Sequence, residues 1–574
     1  MTTSRTRTFR QRSRTVQAFF AIAALGLAVR LVVLQVISSA DLSEKARKQH
    51  TSVIKLASRR GEILDRQGQE LAISQDAWSV YAQPSEYEWP IETMAATLSP
   101  ELGIEPTQLT RQLRQRHWHW LIRQRDASTS ERVRAMKIPG IGVHRESRRV
   151  YPRGTLAANL IGFVGLDNQG LAGIEHDLEH VLSQGNDTLL VQTNAHGQEI
   201  LRENGGSPLA SLRSERKRVV LTIDETLQHV AERELEHSIR ELGALRGAVV
   251  MMDPHTGDVL AYALAPTFDP NRYRDADWAR IKNWVAQDVY EPGSTMKIFT
   301  VAAALEAGAI APNTTFPCGP TFRIGRHTIS DHDAPAGIRH LTPAQILEVS
   351  SNVGALQVGL RMSGARHRQI LSELGFGRTS GGGFGGESRG RLPALPWPTV
   401  RHTSISYGYG LSATALQVLT AATAIADDGR LHPPRLVDRL EDPHGKVLER
   451  FPVASPSLVF RPETATTVRK MLATVVETGT AVAAKIPGYH VAGKTGTANK
   501  ANPGGAGYSG DVIASFLGFV PAERPELLVL CVLDSPRKAH YASMTAVPLF
   551  QAVTREALRT LGIPPDDLRE APPS

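Results

Sequence analysis

The chain has 574 residues, which is too long for one compact core, so two or more folded units are expected. Its formal net charge is +8, but part of that excess comes from arginines that precede the first apolar run: Arg5, Arg7, Arg10, Arg12 and Arg14. Overall charge therefore gives no support to a nucleic-acid-binding function.

The first predicted element is a membrane-spanning helix. The run from Val16 to Ile37, VQAFFAIAALGLAVRLVVLQVI, is long enough to cross a bilayer once. Arginines without any acid precede it, whereas the charges just behind it nearly cancel, so we expect residues 1–15 in the cytoplasm, an anchor at residues 16–38 and the remaining chain outside. Arg30 lies near the outer end of the span, where its side chain can snorkel to the interface.

A cleaved signal peptide is the alternative for this segment, because Ser38, Ser39 and Ala40 offer small residues at a cleavage point. The apolar run exceeds the usual length of the hydrophobic region of a signal peptide, which favours an uncleaved anchor. Outside the cell the two cysteines, Cys318 and Cys531, can oxidise, but Cys531 lies in LLVLCVL, which is typical of a buried strand. We therefore expect no disulfide.

Two exported regions follow the anchor. Residues 39–215 are rich in arginine and broken by Gly and Pro without a long helical period, which predicts an extended pedestal domain. Near Lys217 the pattern changes to a short strand, a helix of clear apolar period and a hairpin, GAVVMMDPHTGDVLAYAL. Strand and helix signals mix from there on, so we expect an α/β (α+β) domain at residues 216–560 and a short tail at 561–574.

The stretch YEPGSTMKIF places Ser294 and Lys297 one helical turn apart at the start of an apolar helix. A serine in that position is commonly a helix cap. It can also be a nucleophile whose proton passes to a partly neutral lysine on the same face. The spacing alone is weak evidence, because Ser52 and Lys55 match it as well.

Two further motifs follow in order, Ser350-Ser351-Asn352 and Lys494-Thr495-Gly496-Thr497. The ordered set of three is typical of penicillin-binding proteins and class A β-lactamases. In acyl transfer Ser350 can pass a proton to the leaving amine, Asn352 can hold Lys297 and a substrate amide, and Lys494 keeps the local field positive.

The remaining residues of the third motif fit substrate binding. Thr495 and Thr497 can bind a substrate carboxylate, and Gly496 allows close approach of a substrate backbone. The amides of Ser294 and Thr497 are candidates for an oxyanion hole.

Beyond these motifs the chain resembles the class B penicillin-binding proteins over most of its exported length. The resemblance rests on RGEILDRQGQELA (residues 60–72), RRVYPRGTLAANLIGFVGLDNQGLAGIE (148–175) and DPHTGDVLAYALAPTFDPN (253–271). SYGYGLSATALQ (406–417) and the overall length are most similar to the cell-division members of the family.

The resemblance implies a serine β-lactamase-like transpeptidase domain, an antiparallel sheet flanked by helices, behind the anchor and pedestal. It implies that Ser294 forms an acyl-enzyme with a peptidoglycan stem peptide, that β-lactams acylate the same serine, and that no metal or organic cofactor is needed. The implied setting is the periplasmic side of the inner membrane at the septum, beside an FtsW-type glycosyltransferase and other division proteins.

Two departures from the family pattern concern local packing. Tyr541-Ala542-Ser543-Met544 stands where relatives usually have a tyrosine followed by two glycines, and Asn159 stands where a histidine is common.

Other functions remain open on the sequence. His327, Asp331, His332, Asp333 and His340 suggest a metal site, although their spacing fits no standard zinc pattern. The segment from Arg111 to Arg125, with Trp118 and Trp120 among arginines, suits single-stranded nucleic acid superficially, but a charged helix face with packed tryptophans is favoured.

Within the same fold, an elongation-type transpeptidase, a D,D-carboxypeptidase or a β-lactamase would use the same three motifs. A non-catalytic division scaffold or β-lactam sensor is the alternative outside enzymology.

Overall fold

The computed structural model describes residues 3–37, 51–55, 59–183, 188–192, 217–332, 335–502 and 507–569. Its contacts divide the chain into two units, residues 1–58 with 185–214, and residues 59–184 with 215–574. The helices are α1 (Thr3–Val32), α2 (Ile91–Leu102), α3 (Pro106–Leu113), α4 (Ala127–Ala135), α5 (Ala158–Ile161), α6 (Gly173–Asp177), α7 (Glu179–Leu182), α8 (Glu225–Leu242), α9 (Trp278–Ile281), α10 (Trp284–Gln287), α11 (Met296–Glu306), α12 (Pro343–Glu348), α13 (Asn352–Leu360), α14 (Gly364–Glu373), α15 (Thr399–Ser406), α16 (Ala415–Ala426), α17 (Pro462–Glu477), α18 (Ala546–Thr560) and α19 (Asp566–Arg569).

The strands are β1 (Thr51–Lys55), β2 (Ile63–Leu64), β3 (Glu70–Ala82), β4 (His119–Arg125), β5 (Ile141–Val150), β6 (Phe163–Val164), β7 (Gly170–Ala172), β8 (Thr188–Gln192), β9 (Arg218–Leu221), β10 (Arg246–Met252), β11 (Val259–Ala265), β12 (Phe316–Cys318), β13 (Thr321–Ile324), β14 (His327–Ser330), β15 (Arg339–Leu341), β16 (Arg430–Leu431), β17 (Val437–Glu441), β18 (Val447–Arg450), β19 (Ser457–Leu458), β20 (Ala492–Ala501), β21 (Tyr508–Val520) and β22 (Leu527–Asp534).

The first unit contains α1 and the antiparallel pair β1–β8. Residues Val16–Gln35 form the one helical segment, among the residues described, that is long and apolar enough to cross a membrane, with a mean hydropathy of 2.2. Its described side chains are exposed apart from that of Val33, which is half-buried, as expected of a helix whose apolar surface meets lipid. The predicted N-terminal apolar helix is therefore confirmed, and its helical backbone begins earlier than the apolar run, at Thr3.

The second unit is built around a five-stranded antiparallel sheet in the order β11-β10-β22-β21-β20. The predicted hairpin of β10 and β11 forms, and β21 and β22 pair around the turn that follows Val520. Every residue of β11 and β22 is buried, because helices cover the sheet. The mixed α/β fold class is confirmed.

Helices α8 and α18 pack against each other and against this sheet, while α16 packs on β22 and α17 on β20. Helix α11 is buried all round from Met296 to Leu305, as an apolar helix inside a large domain should be. It ends at Glu306, and Gly308 just beyond it has a φ of +64°, so the predicted glycine stop is present. The β20 strand is left at the edge of the sheet.

A second sheet runs in the order β18-β17-β9-β2-β3-β4, with β5 on the other side of β3. It joins strands of residues 59–183 to strands that follow residue 217, because β2 pairs in parallel with β9. At its far end α2, α3 and α4 cover β3, β4 and β5 with a separate apolar core that includes Met94, Leu98 and Leu121. We call this part, residues 70–150, the N-terminal lobe.

The interpretation of residues 111–125 as a charged helix face was wrong. Helix α3 ends at Leu113, and β4 begins at His119, so Trp118 precedes a strand and Trp120 lies within it. Trp120 is paired with Tyr81 on β3. Cross-strand aromatic pairs stabilise a sheet, and this pairing outweighs the helical character of the arginine-rich flank.

Cys318 and Cys531 are both buried and unpaired, which agrees with the expected absence of a disulfide. Cys531 lies in the central strand β22, as its apolar neighbours predicted.

One polar contact ties the β10–β11 turn to the end of α16. The Asp427 carboxylate is hydrogen-bonded to His255 Nδ1 at 2.8 Å and to His432 Nε2 at 2.7 Å. The hydrogen bond to Asp427 raises the pKa of His255 above its ordinary value of 6.5.

We predict that this contact makes stability depend on pH. Because the folded pKa of His255 exceeds the unfolded one, its contribution is full below pH 6.5 and is lost as pH rises through the folded pKa. Urea unfolding of the native protein should therefore show a free energy of unfolding that falls with rising pH more steeply than that of His255→Gln. Equal slopes for the two proteins would contradict the prediction.

Candidate active site

Ser294 lies in a 3-10 turn, Gly293–Thr295, that leads directly into α11. The cap positions of the turn and of the helix are Pro292 and Thr295, and neither makes a side-chain cap hydrogen bond. The geometry therefore gives no support to Ser294 as an ordinary helix cap, and its half-buried hydroxyl has no hydrogen-bond partner among the described residues.

The backbone around Ser294 is fixed by a loop that passes close to it. The amide of Gly293 donates to the carbonyl of Gly408 at 3.1 Å. A Cβ on Gly408 would lie 1.9 Å from the Gly293 carbonyl oxygen, so only glycine fits there. The SYGYG segment thus holds the turn that carries Ser294.

Lys297 is fully buried, one turn along α11 from Ser294. Its Nζ donates to the carbonyl of Ser350 at 2.5 Å and contacts Ser350 Oγ at 3.3 Å. Burial lowers the pKa of Lys297 to about 7, against an opposing effect of the Asp331 charge. A substantial fraction of the amine is therefore neutral near pH 7, which is what a general base for a serine requires.

Ser350 follows α12 and has a φ of +57°, in the left-handed region that non-glycine residues rarely occupy. This strained backbone directs the Ser350 carbonyl to Lys297. Asn352 is the first residue of α13, and its Nδ2 donates to the carbonyl of Ser330 at 3.0 Å. Among the described residues it is Ser350, rather than Asn352 as expected, that holds Lys297.

The third motif lies on β20 at the edge of the five-stranded sheet. Lys494 is fully buried, and its Nζ contacts the carbonyl and Oγ1 of Thr495 at 3.3 and 3.2 Å. Burial, and then the nearby charge of Lys297, hold the pKa of Lys494 well below its ordinary value of 10.5. Two buried amines thus lie close enough to affect each other, and a bound anion would stabilise both.

The other residues of this strand have protein partners of their own. Thr495 Oγ1 contacts Thr480 Oγ1 at 3.1 Å, and Thr497 Oγ1 accepts a hydrogen bond from the amide of Ala542 at 3.2 Å. A Cβ on Gly496 would lie 2.5 Å from Ser515 Oγ and 2.9 Å from the Thr295 side chain. In this structure Gly496 is required for packing of β20 against the Ser294 turn.

Comparison with known proteins agrees with this arrangement. The penicillin binding protein transpeptidase domain family matches residues 247–555, and the penicillin-binding protein dimerisation domain family matches residues 55–210. The chain is 33% identical to the probable peptidoglycan D,D-transpeptidase PbpC of Pseudomonas aeruginosa, over 97% of this chain and 96% of that one.

It is also 31% identical to the peptidoglycan D,D-transpeptidase FtsI of Escherichia coli K12, over 94% and 90% of the two chains. The crystal structure of penicillin binding protein 3 from Mycobacterium tuberculosis complexed with aztreonam superposes with a TM-score of 0.68 at 27% identity, covering 91% of this chain and 99% of that one.

The chain belongs to the class B penicillin-binding proteins. The family resemblance read from the sequence is confirmed, and so is the transpeptidase class of the enzyme. The two expected departures from the family pattern are accommodated locally. The Ala542 amide donates a hydrogen bond to Thr497 Oγ1 on β20. Asn159 Nδ2 donates to the carbonyls of Arg280 and Ile281, and its Oδ1 accepts from Thr267 Oγ1.

Asp331 is a site residue whose role the sequence did not reveal. In this penicillin-binding protein Oδ2 of Asp331 accepts from Ser351 Oγ at 2.5 Å, and Oδ1 accepts from the amides of Asn352 and Val353 at 2.5 and 2.9 Å. The carboxylate therefore caps α13 and fixes the second motif. No local pattern signals this role, because Asp331 lies twenty-one residues before the first residue of the helix that it caps.

Asp331 was instead a member of the suspected metal cluster. In the described part of the chain no group of three or more His, Cys, Asp or Glu side chains could hold a metal ion, and Asp333 lies outside the described residues. Asp331 is engaged with α13.

We predict that acylation of Ser294 by penicillin rises with pH. Below the pKa of Lys297, about 7, the protonated amine cannot take the serine proton, so the second-order rate constant should increase roughly tenfold per pH unit and level off above that pKa. Stopped-flow measurement with a fluorescent penicillin between pH 5 and 9 tests this. A flat profile across pH 7 would contradict the role of Lys297.

We predict that Asp331→Asn slows acylation about tenfold, because loss of a charged cap displaces the second motif. The variant should also shift the pH midpoint downward, since the Asp331 charge raises the pKa of Lys297. Asp224→Asn is the matched control, because Asp224 caps α8, which carries none of the candidate residues. If the two variants acylate alike and the midpoint does not move, Asp331 has no part in the site.

Proposed function

We propose that this penicillin-binding protein is a peptidoglycan D,D-transpeptidase that crosslinks stem peptides during septal wall synthesis. The observation that carries the proposal is the buried Lys297, one turn after Ser294, with its Nζ on Ser350 and a second buried amine, Lys494, on the adjacent edge strand. Relatives named peptidoglycan D,D-transpeptidases support the choice of substrate.

In the proposed reaction neutral Lys297 takes the proton of Ser294, whose oxygen attacks the carbonyl of the penultimate D-alanine of a donor stem. The amides of Ser294 and Thr497 stabilise the oxyanion. Ser350, in contact with Lys297, passes the proton to the departing terminal D-alanine as the carbon–nitrogen bond breaks. The amino group of a neighbouring stem then attacks the acyl-enzyme, releases Ser294 and completes the crosslink.

The proposal assigns substrate binding to residues of β20 and to Asn352. Lys494 supplies positive charge, and Thr495 and Thr497 bind the terminal carboxylate after exchanging their present partners, Thr480 and the Ala542 amide. Asn352 binds a substrate amide from the start of α13. A β-lactam mimics the donor end and is proposed to acylate Ser294 by the same first step.

The parts of the chain have proposed roles as well. Residues 1–15 form a cytoplasmic tail, 16–38 an inner-membrane anchor, 39–215 the pedestal, 216–560 the periplasmic transpeptidase domain and 561–574 a C-terminal tail. The pedestal is suited to reach into the wall, which favours a crosslinking enzyme over a carboxypeptidase or β-lactamase that would act in free solution. An FtsW-type glycosyltransferase and other division proteins are the proposed partners.

We predict that intact mass analysis after incubation with a penicillin shows one stable adduct on the native protein and none on Ser294→Ala. Ser52→Ala is the matched control, since Ser52 has the same spacing to Lys55 and should leave the adduct intact. Penicillin consumed without a lasting adduct would indicate a hydrolase. No adduct at all would indicate a scaffold with an inactive pocket.

The septal role is tested in the host by depleting the native protein while the same variants are expressed in its place. Cells that carry Ser294→Ala should grow as filaments, whereas Ser52→Ala should divide normally. Rounded cells would assign the enzyme to elongation. Normal division with Ser294→Ala would favour the scaffold or sensor.

A further inference from the structure

The sheet of the N-terminal lobe has one face covered by α2, α3 and α4, and its other face carries aromatic rings. The Trp118 ring lies 4.8 Å from Trp120 and 5.7 Å from Tyr81, measured between centroids. The Trp120 ring in turn lies 6.3 Å from Tyr81 and 5.9 Å from His144. We call these four residues, Tyr81, Trp118, Trp120 and His144, the aromatic platform.

Contacts with Gly142 and Arg123 fix the positions of two of the platform rings. A Cβ on Gly142 would lie 2.1 Å from the Tyr81 ring, so the absence of a side chain there lets this ring lie across β5. The Arg123 guanidinium lies 5.2 Å above the Trp120 ring and is itself held by Glu146 and Asp167. The rings are therefore ordered while Trp118 remains 50% exposed.

Arginines are concentrated in the segment that leads into β4, although Arg114 is paired with Glu92, and Arg123 with Glu146 and Asp167. The segment Arg111 to Arg125 contains five arginines and no acid. Arg116 and His117 are exposed immediately before Trp118. A ligand that covers Trp118 would therefore meet an apolar ring with positive charge beside it, which suits a molecule that combines apolar faces with carboxylates.

We propose that the aromatic platform binds the glycan strand of uncrosslinked peptidoglycan, and this rests on the proposed function. The C–H face of a sugar packs on the Trp118 ring, and the carboxylates of the acidic stem peptides lie beside Arg116 and His117. The substrate is a polymer that continues beyond the stem held at Ser294, so a second contact raises its effective concentration at the catalytic site.

The exposed area of the platform favours a glycan strand over a folded protein as the ligand. Trp118 is the one platform residue that is more than about a third exposed. A stable protein interface buries about 800 Å² on each partner and is usually centred on several large anchoring side chains, whereas the platform offers one half-exposed ring. A sugar ring needs only one such surface.

The test uses the full-length, detergent-solubilised protein, first acylated with penicillin so that the catalytic site is blocked. The probe is soluble uncrosslinked glycan strands with intact stem peptides, and retention on the immobilised protein gives the affinity. Trp118→Ala should weaken binding at least fivefold, whereas Trp118→Phe should retain most of it. Trp278→Ala is the matched control, because Trp278 is 64% exposed on α9 and should have no effect.

Strands stripped of their peptides should bind more weakly and with less dependence on salt, since they lack the carboxylates. Equal binding by native protein and Trp118→Ala, or no binding by the native protein, overturns the proposal. So does Trp118-dependent capture of phosphatidylglycerol vesicles without capture of strands, which would assign the platform to the membrane surface. The proposed function is judged separately, because the penicillin adduct on Ser294 must form in every one of these variants.

Discussion

The site of this penicillin-binding protein depends on two lysine side chains held inside the protein without a carboxylate partner among the described residues. Lys297 and Lys494 are both fully buried, and each is satisfied by hydroxyl and carbonyl oxygens of the protein. Burial of an unpaired amine disfavours its charge, and two such amines disfavour each other further. The result is an amine, Lys297, that is partly neutral near pH 7 one turn after Ser294, and a site that gains from an arriving anion.

Such an arrangement needs a rigid surrounding, and the structure supplies it at the ends of regular elements. Ser294 lies in the turn that leads into α11, and Lys494 lies on β20. Ser350 lies between α12 and α13, and Asn352 is the first residue of α13. The strained φ of Ser350 is held by the capped helices on both sides, since Thr342 and Gln345 form a capping box on α12 and Asp331 caps α13. A strained residue persists only where its neighbours determine its conformation, and here that conformation directs its carbonyl to Lys297.

Much of this site could be predicted from the sequence, because its motifs are short and contiguous. Ser294 with Lys297, and Lys494 to Thr497, need only a helical turn and a strand to bring their members together. The contribution of Asp331 could not be predicted, since it depends on how the β13–β14 hairpin meets α13. The partner of Asn352 likewise depends on tertiary contacts, and so does the packing that excludes a side chain at Gly496. Propensity also failed for Trp120, where pairing with Tyr81 on β3 decides the conformation.

Two of the family signatures, residues 60–72 and 148–175, acquire a physical explanation from one buried ion-pair network. Arg60, at the start of the first, binds the Glu175 carboxylate and carbonyl at 2.9 and 2.8 Å, and Glu175 ends the second. Arg149 binds the other Glu175 oxygen at 2.6 Å, and all three side chains are buried.

Removing Glu175 would leave two buried arginines without the carboxylate that they share, so the glutamate must be kept wherever both arginines are present. The network lies where β2 joins the lobe sheet to β9, so it fixes the N-terminal lobe to the segment that continues into the transpeptidase fold. If the aromatic platform binds a glycan strand as proposed, a lobe attached through such a network holds that strand in a fixed direction relative to Ser294, which a flexible tether could not do.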